Sequence, residues 1–284
     1  MLNRTPTHGK NTHMPRRLTE AQVQQYRAKG FCGPIQVLSP EEVADFRADL
    51  ESFEAAQGHP LDFPERSKPY LLFRWADGII HHPAVLDAVE DVLGPDILCY
   101  HTTVWIKEAN SDARVFWHQD DAYFNLDPAE QVTAWVALSE AGEREGCLRM
   151  IPDSHRAGLW THSDKPVAES LARRGQNIGE HLDDDAGTLV PLHAGQMSFH
   201  NTHTVHSSGP NRGPDRRIGL GVSYIPAHVR PLTEPRSSAL LVRGEDRHHH
   251  YHQETRLRAP LGAEARAAHE QAYGLYMKAT RIDR

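Results

Sequence analysis

The chain has no apolar run near the ~20 residues needed to cross a bilayer, and its N-terminus lacks the apolar core of a secretory signal. No membrane partner is therefore expected. Cysteine is scarce: Cys32, Cys99 and Cys147 are scattered without C-x-x-C spacing, which argues against a disulfide framework and against a zinc knuckle. A reducing, cytoplasmic setting fits that pattern. Basic residues are not in excess either, since 31 Lys and Arg stand against 38 Asp and Glu for a net charge of -7. With no basic face, nucleic acid is not an expected partner and a small-molecule site is. No internal repeat is visible. What remains is an ordinary globular composition, 39% hydrophobic and 24% charged over 284 residues, enough for one large domain with a sizeable core.

Residues Met1 to Arg17 carry Arg4, Lys10, Arg16 and Arg17 with no acid and much Thr, His, Asn and Pro. They read as a disordered tail (1–17), in preference to an organellar transit peptide. Leu18 to Lys29 then has helical spacing closed by Gly30, and Phe31 to Val37 has strand character. Ser39-Pro40-Glu41-Glu42 opens a second helix running to about Gln57, with a capping serine, proline in the first turn and acids at the positive end. A third is expected over Pro83 to Leu93. After Gly94-Pro95 the texture changes to short β-rich runs: Ile97 to Lys107, Val115 to Asp120, Gln131 to Ser139, Cys147 to Ile151, Gly187 to Leu192, Gln196 to His200 and Arg217 to Ile225. Helices first and strands second indicate an α+β, mainly β architecture, a sandwich or jelly roll. The expectation is one domain over 18–284, with a helical portion at about 18–94 and a β core at about 95–228. Gly158 to Asp185 is a long polar stretch of the kind that borders active sites. A last helix, about Gly262 to Lys278, is expected on the outside of the sheet. The tract Arg247 to His252 reads as a solvated loop, because consecutive histidines cannot all face one ion.

Among 20 histidines, the pair in His118-Gln119-Asp120 is a weak signal alone. On a strand, alternation would put His118 and Asp120 on one face and turn Gln119 away. A remote histidine would complete a 2-His-1-carboxylate set, which leaves half of an octahedral Fe(II) open. His200, His203 and His206 are the downstream candidates. His206 precedes a Ser-Ser-Gly-Pro-Asn turn, and antiparallel pairing across it would return an arginine beside the histidine. Parity selects Arg217, which shares its face with Gly219, Gly221 and Ser223, while Ile218, Leu220, Val222 and Tyr224 form the opposite apolar face. An arginine there can grip a carboxylate with two parallel hydrogen bonds. His200 and His203 then read as core or supporting histidines.

These residues, with Ala134-Trp135, Gly146 to His155 and Val242 to Arg247, resemble the phytanoyl-CoA dioxygenase family from about Leu18 to Pro260. The resemblance implies a double-stranded β-helix, a jelly roll of the cupin kind, flanked by N-terminal helices and a C-terminal helix. It implies Fe(II) held by His118, Asp120 and His206, with 2-oxoglutarate and O2 as cosubstrates and Arg217 on the distal carboxylate. Gln119, Trp135 and Ser208 match positions close to the cosubstrate. Thr103, with Tyr100, His101 and Lys107 on the same strand, is a further candidate for the cosubstrate or substrate wall. The family's chemistry would be hydroxylation of an unactivated C–H bond in a secondary metabolite, amino-acid derivative, phosphonate or acyl-CoA, with succinate and CO2 as coproducts. Related halogenases carry a small residue where Asp120 stands, so its carboxylate points to oxygen transfer. Desaturation, epoxidation or ring closure by the same cofactors is an alternative outcome. A non-catalytic jelly-roll binding protein and a zinc hydrolase are alternative classes. Arg66, Lys68, Arg74, Arg173 and Arg174 would serve an anionic substrate if they were more than solvated surface charge. The oligomeric state is left open.

Overall fold

A computed structural model of the chain describes residues 15–163, 170–171, 177–178, 182–183 and 185–280. Most of the expected N-terminal tail, and Arg173 and Arg174, lie outside the described residues.

In chain order the elements are α1 (Glu20–Lys29), β1 (Phe31–Gln36), α2 (Pro40–Gln57), α3 (Arg74–Ile80), α4 (Pro83–Leu93), β2 (Ile97–Lys107) and β3 (Val115–His118). There follow α5 (Asp121–Phe124), β4 (Leu126–Asp127), β5 (Val132–Ala137), β6 (Leu148–Met150), β7 (Thr188–Val190), β8 (Gln196–Asn201), β9 (His206–Ser208) and β10 (Arg217–Pro226). The chain closes with β11 (Arg230–Pro231), β12 (Ser238–Arg243), β13 (His252–Gln253) and α6 (Ala263–Thr280). Local chemistry sets the first helices. Thr19 and Gln22 form a reciprocal capping box at the start of α1, Ser39 and Glu42 another at α2, and left-handed Gly30 and Gly58 end them.

A seven-stranded sheet has the order β1-β8-β5-β10-β2-β12-β13, and a four-stranded sheet the order β3-β9-β6-β7. The central strands β8, β5, β10, β2 and β12 pair antiparallel, as do all pairs of the smaller sheet. The fold is thus mixed, mostly sheet, with six α-helices among the described residues. No described helix is long and apolar enough to cross a membrane.

Alternation along β10 divides the molecule. Ile218, Leu220, Val222 and Tyr224 enter one core with Val43 and Leu50 of α2, Trp75 and Ile79 of α3, and Val85 and Val89 of α4. Burying each such aliphatic side chain contributes roughly 1.5–3 kcal/mol. The opposite face, with Arg217, Gly221 and Ser223, looks into the space between the two sheets.

Four expectations need correction. Strand β3 stops at His118 rather than Asp120. Strand β9 does not form a hairpin with β10: it pairs with β3 and β6, and residues 209–216 cross to the other sheet. The large sheet runs past residue 228, because β12 pairs with β2. Helix α6 is not a cover on the outside of the sheet, since Tyr276 and Met277 pack with Leu98, Tyr100 and Phe124 and line the cavity between the sheets.

Candidate active site

Antiparallel pairing of β3 with β9 sets His118 opposite His206, and their rings lie 4.1 Å apart between centroids. After His118 the chain turns into α5, and Asp120 takes helical angles (φ -63, ψ -34) at the cap of that helix. A turn, not strand alternation, therefore swings its carboxylate back over the imidazoles. Asp120 Oδ1 lies 3.7 Å from His118 Nε2 and 3.7 Å from His206 Nε2. One ligand atom from each of the three residues falls within 4.8 Å of the others, which is the spacing of a metal site.

Tautomers are fixed locally. The Nδ1 of His118 lies 2.9 Å from the Phe116 carbonyl, and that of His206 lies 2.9 Å from the Thr204 carbonyl. A carbonyl only accepts, so Nδ1 carries the proton and Nε2 presents its lone pair inward. Burial pushes both imidazoles below the ordinary histidine pKa, and for His206 the neighbouring His118 and His200 push further. Burial alone would raise the Asp120 carboxyl, but His206, His200 and His118 hold it well below the usual range. Two neutral nitrogens and one ionised oxygen result. The second oxygen of Asp120 accepts from the Thr133 hydroxyl at 2.5 Å and faces His200 Nε2 at 3.2 Å. His203 lies apart, with Nε2 3.1 Å from Asp121.

Arg217 and Lys107 are adjacent across the β10–β2 pairing, and each is almost fully buried. Neither has an acidic partner among the described residues. Arg217 donates Nη1 to the Gly146 carbonyl at 2.7 Å, leaves Nε without a partner, and sits 5.0 Å from the Trp135 ring centre. Lys107 donates to Ser208 Oγ at 2.7 Å and to the Gly209 carbonyl. Neutral dipoles do not replace its hydration, so burial and the charge of Arg217 pull its pKa down to about 5. Burial likewise lowers Arg217 to about 10. A cavity of about 40 Å³ is lined by Arg217, Trp135 and Ser208 as well as by His118, Asp120 and His206. A buried arginine with no acidic counter-ion among the described residues, opening on the three metal-type donors, makes a recess for an anion.

Thr103 lines a second cavity that also reaches His118 and Asp120. Gln119 lines neither. Its amide donates to the carbonyls of Gly158 and His203 at 2.8 and 2.7 Å and accepts from Trp160 N–H at 2.7 Å, so it ties the 158–160 segment to the metal turn. Its expected place beside the cosubstrate is not what the structure favours: the amide oxygen and nitrogen are engaged by Gly158, His203 and Trp160, and neither cavity reaches them. Thr133 and Trp105 had no part in the sequence reading. Parity with Lys107 and Thr103 along β2 marks Trp105, whereas nothing local marks Thr133.

Such a donor set beside a buried basic recess defines a class, the non-haem iron oxygenases that use 2-oxoglutarate. The family model for phytanoyl-CoA dioxygenase (PhyH) matches residues 26–219, more than half of the chain. The chain belongs to that family. A probable alpha-ketoglutarate-dependent hypophosphite dioxygenase of Stutzerimonas stutzeri is 27% identical over 229 residues, covering 74% of this chain and 80% of that protein. An L-proline trans-4-hydroxylase of Streptomyces griseoviridis is 27% identical over 244 residues, covering 75% and 91%. Among solved structures, the non-heme monooxygenase ThoJ superposes with a TM-score of 0.80 at 32% identity, covering 92% of this chain and 97% of the other. The protein is an iron- and 2-oxoglutarate-dependent oxygenase of the non-haem kind.

Proposed function

We propose that this protein hydroxylates an unactivated C–H bond of a small organic molecule, forming succinate and CO2 from 2-oxoglutarate and O2. The observation that carries this is the cavity joining His118, Asp120 and His206 to the buried Arg217, which has no acidic partner among the described residues and pairs with buried Lys107 across β10 and β2. Imidazole and carboxylate donors suit Fe(II), and an open coordination half suits a chelating cosubstrate. In this reading the facing sheets form a double-stranded β-helix, and residues 18–284 are one domain, supported by a core that runs from α1 through the central strands to Ala272 of α6.

His118, Asp120 and His206 hold the metal, and Thr133 and His200 keep Asp120 on one oxygen. Arg217 takes the distal carboxylate of 2-oxoglutarate with its unpartnered Nε edge, against the shelf of Trp135. Lys107 and Ser208 complete that end, and Thr103 belongs to the neighbouring substrate wall. Bound iron supplies the activation of dioxygen, while the protein supplies geometry and a water-poor pocket. Because Asp120 fills the carboxylate position, hydroxylation is favoured over halogenation.

The test is anaerobic titration of the Fe(II)-loaded protein with 2-oxoglutarate, followed by succinate assay on admitting air. A visible charge-transfer band and succinate release are expected. Absence of the band from protein that binds iron would sink the proposal. His206→Ala is expected to abolish iron binding, whereas His203→Ala, paired with Asp121, retains it.

A further inference from the structure

A second cavity of about 110 Å³ shares His118 and Asp120 with the metal-type cluster and extends away from Arg217. Its far wall is mostly aromatic and comes from distant parts of the chain: Phe63 between α2 and α3, Tyr123 and Phe124 on α5, and Tyr273, Tyr276 and Met277 on α6. No Lys or Arg lines it among the described residues. Among the described residues, the basic side chains suggested for an anion do not line it. Lys68 is fully buried on Glu254 at 2.5 Å and on the carbonyls of Tyr100 and Ser238. Arg66 donates to the Leu61 carbonyl, and Arg74 is exposed.

We infer that this cavity is the substrate subsite and that it takes an uncharged, ring-bearing molecule, with α6 as its specificity-determining wall. The inference rests on the proposed function, which puts the oxidising metal at the cavity floor. An anion entering it would lose hydration with no cation among the described lining residues to receive it. A cation would meet a floor without net charge, since a divalent metal and Arg217 together balance Asp120 and dianionic 2-oxoglutarate. An uncharged ring loses little on desolvation and gains edge and face contacts with the surrounding rings.

Polar groups in the wall are few and neutral. His101 stacks on Tyr276 at 3.8 Å, places Nε2 3.1 Å from the Thr103 hydroxyl, and leaves a buried Nδ1 without a partner. Burial holds that imidazole neutral. With Thr103 and Ser223 it can satisfy one hydroxyl or carbonyl of a ligand, enough to orient a ring without demanding charge.

The experiment is calorimetric titration of the full chain, metal-free and again with Mn(II) and 2-oxoglutarate under nitrogen. The probes are indole, 4-ethylphenol, 4-ethylbenzoate, phenyl phosphate and benzyltrimethylammonium. Indole and 4-ethylphenol are expected to bind and to displace each other, and the three charged probes to bind at least about tenfold more weakly. Met277→Trp, which fills the cavity, is expected to weaken the neutral probes by about tenfold or more. Tyr273→Ala, on the half-buried rim, weakens them less and serves if Met277→Trp fails to fold by circular dichroism. Equal or tighter binding of a charged probe overturns the inference. So does failure of both neutral probes to bind, or indifference of their binding to both substitutions. The outcomes separate from those of the iron reading: neutral probes that bind a protein without the chelate band leave the cavity standing, and a band without probe binding removes the cavity alone.

Discussion

Arg217 is held by a shelf and one carbonyl, with no acidic partner among the described residues, an arrangement that costs stability until an anion arrives. A charged hydrogen bond is worth roughly 1.5–3 kcal/mol, so Arg217→Ala should weaken 2-oxoglutarate binding by roughly 10- to 100-fold while leaving metal affinity in place. Calorimetric titration of the Mn(II)-loaded variant measures both, and loss of metal binding along with it would mean that Arg217 supports the fold rather than the anion. Lys107 adds a proton signature. With its pKa pulled down to about 5, the amine is neutral at pH 7 in the free protein. A dicarboxylate seated between it and Arg217 raises that pKa, so binding takes up a proton. Binding enthalpies at pH 7 in buffers of different ionisation heat should therefore show an uptake of up to about one proton, absent from Lys107→Met. Equal proton counts in the two proteins would mean that Lys107 does not change its charge on binding.

Strand β10 links the core to the site, and its glycines are part of the linkage. A Cβ on Gly219 would fall 2.0 Å from Trp135 Cζ2, so the indole that shelves Arg217 lies where only glycine admits it. Gly219→Ala should cost about 1–3 kcal/mol by overpacking and also lower 2-oxoglutarate affinity. Denaturant melts and cosubstrate titrations read the two effects separately, and Gly219→Ala paired with Trp135→Leu should recover stability but not affinity. Unaltered affinity in Gly219→Ala would detach Trp135 from the clamp. The two faces of β10 were legible in the sequence because alternation is a property of the strand alone. The limits of β2, α2 and α4 were legible for the same reason, through caps, proline and glycine. What was not legible depended on distant partners. Asp120 reaches His118 through a helical turn held by Tyr123 N–H on the Asp120 carbonyl, and β9 prefers β3 and β6 to its neighbour in sequence. Helix α6 carries an ordinary amphipathic pattern, and only its docking on Phe124 and His101 makes it a cavity wall.

Across the whole molecule, the metal-type donors and the anion clamp belong to opposite sheets. His118 and His206 stand on β3 and β9, with Asp120 on the turn after β3, while Lys107 and Arg217 stand on β2 and β10. Metal alone therefore braces the four-stranded sheet, and metal with 2-oxoglutarate ties it to the seven-stranded one. Thermal melts with Mn(II), with 2-oxoglutarate and with both should show a joint stabilisation larger than the sum of the two. A ligand at a hundred times its Kd contributes about 2.7 kcal/mol. Arg217→Ala should remove the 2-oxoglutarate increment and keep that of the metal. The pH dependence has a defined sign. His118 and His206 have lowered pKa values when folded, so below the unfolded histidine value of ~6.5 the unfolded chain binds more protons, and the metal-free protein loses stability as pH falls. The lowered pKa values weaken proton competition for the two nitrogens, so the Mn(II) increment should fall less between pH 7 and pH 6 than it would with ordinary histidines, even as the metal-free melting temperature declines. Collapse of the increment between pH 7 and pH 6 would show that burial does not keep the two histidines ready for metal, and would shift the explanation of their neutrality from the fold to the bound ion.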